Sequence, residues 1–231
     1  MKLITIHQPN YLPWPGFFHK WMISDAFIIL DTVQYHKNEW QNRNRIKTAQ
    51  GAQWLTVPVS YRFPQTIQEV GIVAQPWVRK QLASIEQAYT KAPFFDNYYP
   101  PLKNLLMQPW QSLSALNVAI IRLLGEILGC HAPLLLASDM HSRSSDPTER
   151  LIQLCHELHG SAYLSGSEGR NYLQQQVFRD ANLELYFQTV QPPVYPQRHG
   201  DFIPYLTVFD LLLNTGGEAA DIILAMGGKI S

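Results

Sequence analysis

Two short apolar runs with one helix-length segment between them constrain the fold of this chain more than any other feature. Leu3–Ile6 and Ala26–Leu30 each read as a buried strand. Gly16–Ser24 between them reads as a helix whose first turn is set by Pro15. A crossover this short predicts two parallel neighbours, a βαβ unit. The first strand runs directly into His7-Gln8-Pro9-Asn10-Tyr11-Leu12-Pro13-Trp14-Pro15-Gly16. In an open α/β sheet, ligands sit at the loops that follow the C-terminal ends of the strands. This loop and the helix turn behind it carry His7, Gln8, Asn10, His19 and Lys20, more polar chemistry than a connector needs.

The α/β rhythm returns in the second half. Leu134–Ala137 reads as a strand, Pro147–His159 as a helix capped by Asp146, and Ala162–Leu164 as a strand. Tyr172–Asp180 reads as a helix and Leu183–Phe187 as the final strand. Leu206–Asn214 and Glu218–Ala225 read as helices after a proline-rich loop, Gln191–Pro204. In the middle, Thr32–Lys47 is polar and irregular, while Trp54–Val59 and Thr66–Val73 suggest an antiparallel hairpin. Trp77–Tyr89, Asn104–Met107 and Leu113–Leu128 are helical, with Pro93, Pro100 and Pro101 as punctuation. The expectation is an α/β fold with an open, mostly parallel sheet. It would be one domain over residues 1–231, with residues 76–130 as a helical insertion or cap.

Composition narrows the partners. Lys+Arg and Asp+Glu are 18 each, so no net field draws nucleic acid or an anionic membrane. Aromatic residues reach 12% against 16% charged, which suits sugar, nucleotide or protein contacts and equally a large core. Cys130 and Cys155 lie in apolar helical context and read as free buried thiols. His131, His141, His156 and His159 lack ligand spacing, so no metal site is expected. The N-terminus has no signal-peptide core, and no apolar run has membrane-span length; a cytoplasmic protein is the expectation. No motif assigns a cofactor or an oligomeric state.

Six positions along the chain carry candidate chemistry. His7 ends the first strand as a candidate hydrogen-bond donor or general acid/base, the plainer reading being a backbone contact at a strand end. His19 and Lys20 are candidate anion contacts or an ordinary exposed helix turn. Asp31 ends the second strand, where a carboxylate reaches a hydroxyl, a metal or an amine, or caps a turn. In Arg43-Asn44-Arg45 an extended backbone would point both guanidiniums one way, able to clamp a phosphate or carboxylate. A helical one would make them diverge. Ser165-Gly166-Ser167-Glu168-Gly169-Arg170 joins a strand to a helix and can wrap an anion with Arg170 as counter-charge. Its plainer reading is a turn that needs glycine for positive φ. Asp210 sits in an apolar helix, paired inside or aimed at a site. No Ser-His-Asp, Cys-His or Gly-x-Ser-x-Gly arrangement appears, which argues against covalent hydrolase chemistry.

Taken together, these blocks amount to a resemblance. His7-Gln8-Pro9-Asn10-Tyr11-Leu12-Pro13-Trp14-Pro15-Gly16-Phe17-Phe18-His19-Lys20, Asp31-Thr32-Val33-Gln34-Tyr35 and Gln41-Asn42-Arg43-Asn44-Arg45-Ile46-Lys47 are similar to blocks of the WbqC-like protein family. So are Trp54-Leu55-Thr56-Val57-Pro58-Val59, Tyr163-Leu164-Ser165-Gly166 and the stretch Phe202–Gly216, where Thr207 replaces the commoner Ser. The resemblance implies bacterial proteins associated with O-antigen and other surface-polysaccharide clusters. The first loop also resembles that of nucleotidylyltransferase-like, Rossmann-like folds, where histidines near a helix N-terminus meet nucleotide phosphates.

The resulting expectation is a transferase of surface-glycan biosynthesis that binds an anionic nucleotide- or phosphate-bearing substrate. It would move a nucleotidyl or acyl/aminoacyl group to or from a sugar. His7 and Asp31 are the catalytic candidates. Gln8, Asn10, His19, Lys20, Arg43, Asn44, Arg45, Ser165, Gly166, Ser167 and Arg170 are the binding candidates. The alternative is a non-catalytic binding or assembly partner of glycan enzymes, marked by an exposed aromatic surface in place of a cleft.

Overall fold

β1 (Leu3–His7), α1 (Pro15–Met22) and β2 (Ala26–Ile29) make the opening βαβ unit, with the strands parallel and His7 opposite Ile29. The computed structural model describes residues 1–142 and 144–230. Two small hairpins follow. The first pairs β3 (Arg43–Thr48) with β4 (Gly51–Thr56), and the second pairs β5 (Val59–Ser60) with β6 (Gly71–Ile72). Three helices come next: α2 (Trp77–Tyr89), α3 (Phe95–Leu106) and α4 (Leu113–Ile127). The chain then runs through β7 (Leu134–Leu136), α5 (Pro147–Glu157), β8 (Ala162–Ser165), α6 (Gln175–Asp180) and β9 (Glu184–Val190). It closes with α7 (Val208–Thr215), α8 (Ala219–Leu224) and β10 (Gly227–Ile230).

The fold is mixed α/β around a six-stranded sheet in the order β10-β9-β8-β1-β2-β7. Every pairing is parallel except β10 with β9. Alternation along β1 sets the layers. Leu3, Thr5 and His7 face α1: Leu3 packs with Ile23, the Thr5 Oγ1 meets Ser24 Oγ at 2.6 Å, and the His7 ring meets Phe17. Ile4 and Ile6 face the opposite way, into a cluster with Leu151, Ile152 and Phe178 of α5 and α6. The α1 face continues through Phe17, Phe18, Trp21 and Phe27 into the core of α2, α3, α4 and α7. The helix after β1 therefore covers one face and the helix after β8 covers the other. Strand order reverses between β1 and β8, and an open sheet leaves a crevice outside the strand ends at such a reversal.

Several elements differ from the sequence reading. The stretch taken as irregular contains β3, because its inward positions are Asn44 and Ile46 rather than two apolar residues. β4 pairs back onto β3, not forward onto residues 66–73. In that later segment Thr66 and Glu69 form a capping box, with both the Thr66 N–H and hydroxyl donating to Glu69 Oε2 at 2.7 Å. A 3-10 turn, Ile67–Glu69, interrupts the expected strand, and the expected antiparallel hairpin is confined to Val59–Ser60 with Gly71–Ile72. α3 runs through Pro100 and Pro101 because Phe95, Tyr99, Leu102 and Leu106 bury one continuous face. Burial of four large side chains, about 1.5–3 kcal/mol each, offsets the ladder bonds that the prolines cannot make. β9 is longer than expected, and β10 follows it as a further strand that its Gly-Gly start concealed.

Candidate functional site

Lys20 is the most unusual side chain at the C-terminal edge of the sheet. It is 3% exposed, and its Nζ makes no hydrogen bond or ion pair among the described residues. A Cβ built on Gly166, just past β8, would stand 3.8 Å from that Nζ. The ammonium therefore lies at the reversal between β1 and β8. Burial pushes its pKa down to about 7.

His7 is its neighbour at the end of β1. Burial first, and the Lys20 charge second, push the imidazole pKa down to about 3, so the ring is neutral at pH 7. Its Nδ1 lies 2.9 Å from the Gln8 carbonyl oxygen. A carbonyl only accepts, so Nδ1 carries the proton and Nε2 presents a bare lone pair. Phe17 meets the ring at 4.8 Å between centroids and an interplanar angle of 65°. The pair is a buried cation beside a neutral base, each unpaired at its reactive atom.

The loop that follows His7 is fixed by other elements. Asn44, on β3, donates from Nδ2 to the Leu12 carbonyl at 2.6 Å and to the Tyr11 carbonyl at 3.3 Å. Its Oδ1 accepts from the Arg45 N–H at 2.7 Å. Leu12 has φ +43, a left-handed backbone that costs a non-glycine residue about 1–3 kcal/mol unless its surroundings hold it. Asn117, fully buried on α4, donates to the carbonyls of Pro9 at 2.9 Å and Gln41 at 2.7 Å. Gln41 donates from Nε2 to Gln8 Oε1 at 2.5 Å. Trp14 lies so close over Gly16 that a Cβ there would stand 2.2 Å from the indole. Asn10 is 7% exposed, and its side chain makes no hydrogen bond among the described residues.

The other candidates divide. Arg43 and Arg45 lie on an extended strand and share a face, with their guanidinium carbons 4.3 Å and 5.6 Å from the Trp54 ring centroid. Trp40 stands 5.6 Å from Trp54, both indoles are exposed, and Arg45 Nη2 donates to the Tyr205 carbonyl. The result is a surface platform joined to the loop through Asn44. Asn44 itself points inward, so it shapes the loop and does not face a ligand. His19, a candidate anion contact or else part of an exposed helix turn, is wholly buried. Its Nδ1 accepts from Gln188 Nε2 at 3.0 Å, and its Nε2 donates to the Gly227 carbonyl at 3.2 Å. Both ring nitrogens are satisfied, so the ring fastens α1 to β9 and β10.

Asp31 lies on the other side of β1 from Lys20. Its carboxylate accepts from Ser138 N at 3.0 Å and Ser138 Oγ at 2.8 Å, and no hydrogen bond joins it to His7. Gly166 has φ −67, so no positive φ calls for glycine there, and a Cβ at 3.8 Å from the Lys20 Nζ would be in ordinary contact. Ser165 is 2% exposed and hydrogen-bonds Tyr163 on the far face. Ser167 is exposed on the 3-10 turn Ser167–Asn171, and the Arg170 guanidinium lies 5.0 Å from the Phe187 ring centroid. Asp210 is paired inside, accepting from Tyr89 Oη at 2.5 Å and Tyr195 Oη at 2.7 Å. Gln41 and Asn117 escaped the sequence reading as framing residues. A polar residue in the apolar helix Leu113–Leu128 was the signal for Asn117.

Cys130 and Cys155 are free thiols, and burial pushes the Cys130 pKa up to about 12. Among the described residues no cluster of three His, Cys, Asp or Glu forms a metal site, and no helix is long and apolar enough to cross a membrane.

The sequence model of the WbqC-like protein family matches residues 8–222. The uncharacterized protein Rv1507c of Mycobacterium tuberculosis (strain ATCC 25618 / H37Rv) is 36% identical over 227 residues, covering 96% of this chain and 98% of its own. No solved structure matches.

Proposed function

The chain belongs to the WbqC-like protein family, and from that premise we propose that it is a transferase of bacterial surface-polysaccharide (O-antigen) biosynthesis. It binds a phosphate- or nucleotide-bearing donor at the β1/β8 crevice and moves a group onto a sugar. The observation that carries this reading is the buried, unpaired Lys20 ammonium at the reversal of strand order. A buried cation without a partner is costly, and a ligand anion removes that cost. His7 beside it supplies the complementary chemistry. Its Nε2 accepts a hydrogen bond from the attacking sugar hydroxyl or amine and orients it as the new bond forms, and the proton passes to the departing atom of the donor. The bond to that departing atom, a phosphate oxygen or a thioester sulfur, breaks, and Lys20 stabilises the charge developing there. Gln8 and Asn10 offer amide groups in the same loop, and Gly166 leaves the opposite wall clear. Nucleotidyl and acyl or aminoacyl transfer both fit this arrangement.

The test is a thermal-shift panel of nucleotides, nucleotide sugars and acyl thioesters. A ligand at a hundred times its Kd stabilises by about 2.7 kcal/mol. One class is expected to stabilise the wild type, with the shift lost in Lys20→Met and in His7→Ala. A flat panel overturns the reading. A second reading, a non-catalytic partner in a glycan-enzyme assembly, is favoured by the exposed platform of Trp40, Trp54, Arg43 and Arg45. It predicts the flat panel together with a defined complex lost in Trp54→Ala.

A further inference from the structure

A cavity opens on the same edge of the sheet, outside the ends of β2 and β7, with a volume of about 510 Å³. Asp31, 3% exposed, lies in its lining beside Ser138. Each Asp31 oxygen accepts one hydrogen bond from Ser138, and the Asp31 N–H also bonds the carboxylate, which still leaves a lone pair to spare. No cationic side chain pairs with this carboxylate among the described residues. Burial holds its pKa above the ordinary carboxylate value even though both Ser138 bonds lower it. Ser114, in the first turn of α4, is 6% exposed and also lines the cavity. Its hydroxyl makes no hydrogen bond among the described residues. Along α4 the wall is cut back at Ala119, and Arg122 stands a turn further on.

We propose that this cavity is a second binding site, for a small molecule that carries a primary ammonium group and oxygen functions at its other end. An ammonium has three donors, and Asp31 and Ser114 supply acceptors that the protein leaves unused. Its charge answers a buried carboxylate that lacks a counter-ion. The volume has room for an amino sugar or a free amino acid. Arg122 argues against a polyamine and favours a ligand with hydroxyl or carboxyl oxygens at the distal end. The site stands apart from Lys20: β8, β1, β2 and β7 are successive strands, so the two sites lie about 10 Å apart at 4.8 Å per strand.

The test is calorimetric titration with glucosamine and with alanine, each beside its N-acetylated form. One or both amines are expected to bind saturably at millimolar concentration, with the acetylated forms at least tenfold weaker. Glucosamine binding alone assigns the site to an amino sugar, and alanine binding alone to an amino acid. Asp31→Asn keeps an oxygen for Ser138 but removes the charge, and is expected to weaken binding at least tenfold. Ala119→Met fills the wall without touching the carboxylate and is expected to abolish binding. Lys20→Met is expected to leave binding unchanged, which separates this site from the crevice. Failure of both amines to bind overturns the proposal, as does equal binding by the acetylated forms or by Asp31→Asn.

Discussion

Replacing Lys20 with methionine separates a ligand-seeking ammonium from a structural one. Burial lowers this lysine from 10.5 to about 7. At about 1.36 kcal/mol for each tenfold change, the charged form destabilises the folded state by as much as about 5 kcal/mol. The sign follows from proton binding. Below pH 7 both folded and unfolded chains hold the proton, and the folded state bears the whole penalty. Between pH 7 and 10.5 the unfolded chain holds a proton that the folded chain lacks, so stability rises with pH. Above 10.5 the penalty is gone. Methionine keeps the length and apolar character of the stem without the charge. Lys20→Met is therefore expected to be several kcal/mol more stable than wild type near pH 6, with the advantage fading towards pH 10. At about 2–4 °C per kcal/mol for a chain of this size, the melting temperature rises by roughly 10 °C at the acid end. Urea and thermal melts of both proteins across that range measure the difference, in which all other titrating groups cancel. His7, the titratable neighbour, stays neutral throughout because burial is the larger cause of its shift. A variant less stable near pH 6, or a difference flat with pH, would mean that Lys20 has an internal counter-charge.

The same titration governs binding. An anion that pairs with Lys20 is expected to lose affinity about tenfold per pH unit above pH 7, with one proton taken up, as calorimetry in two buffers of different ionisation enthalpy would report. Asn44→Ala removes two donors from buried carbonyls and is expected to destabilise by about 2–4 kcal/mol, read from denaturant midpoints at unchanged slope. Gly16→Ala drives a Cβ into the Trp14 indole and is expected to expose that ring, read as a red shift in tryptophan emission alongside a stability loss of about 1–3 kcal/mol.

The parallel sheet is legible because its strands are short apolar runs and α1 and α5 each open on a proline. Leu3–His7, Ala26–Ile29 and Ala162–Ser165 declare themselves as runs, and Asp146 with Pro147 marks the start of α5. β3 did not, because alternation was judged on hydrophobicity. Its buried residues include Asn44, whose amide bonds a loop, and, on the other face, Lys47, whose Nζ donates to the Gly200 and Asp201 carbonyls. Residue type alone pointed to His7 and Lys20. His19 joins them as the second histidine near the start of the helix, with Lys20 beside it, yet on a helix adjacent side chains diverge by about 100°. One reached the crevice and the other the β9–β10 pair. Asp31 and His7 end neighbouring strands, but Ser138 of the β7 turn captures the carboxylate, and that partner depends on strand order rather than on local sequence.

The left-handed backbone at Leu12 has a consequence for how such proteins diverge. That bend depends on a donor 32 residues downstream, on a hairpin whose outer face is open to water. A drift in the twist or docking of the hairpin would therefore tilt the signature loop and reshape the crevice while every ligand-facing residue stayed the same. Relatives with identical first loops can thus differ in what they admit, and changes confined to β3 and β4 are a natural place to look for the cause.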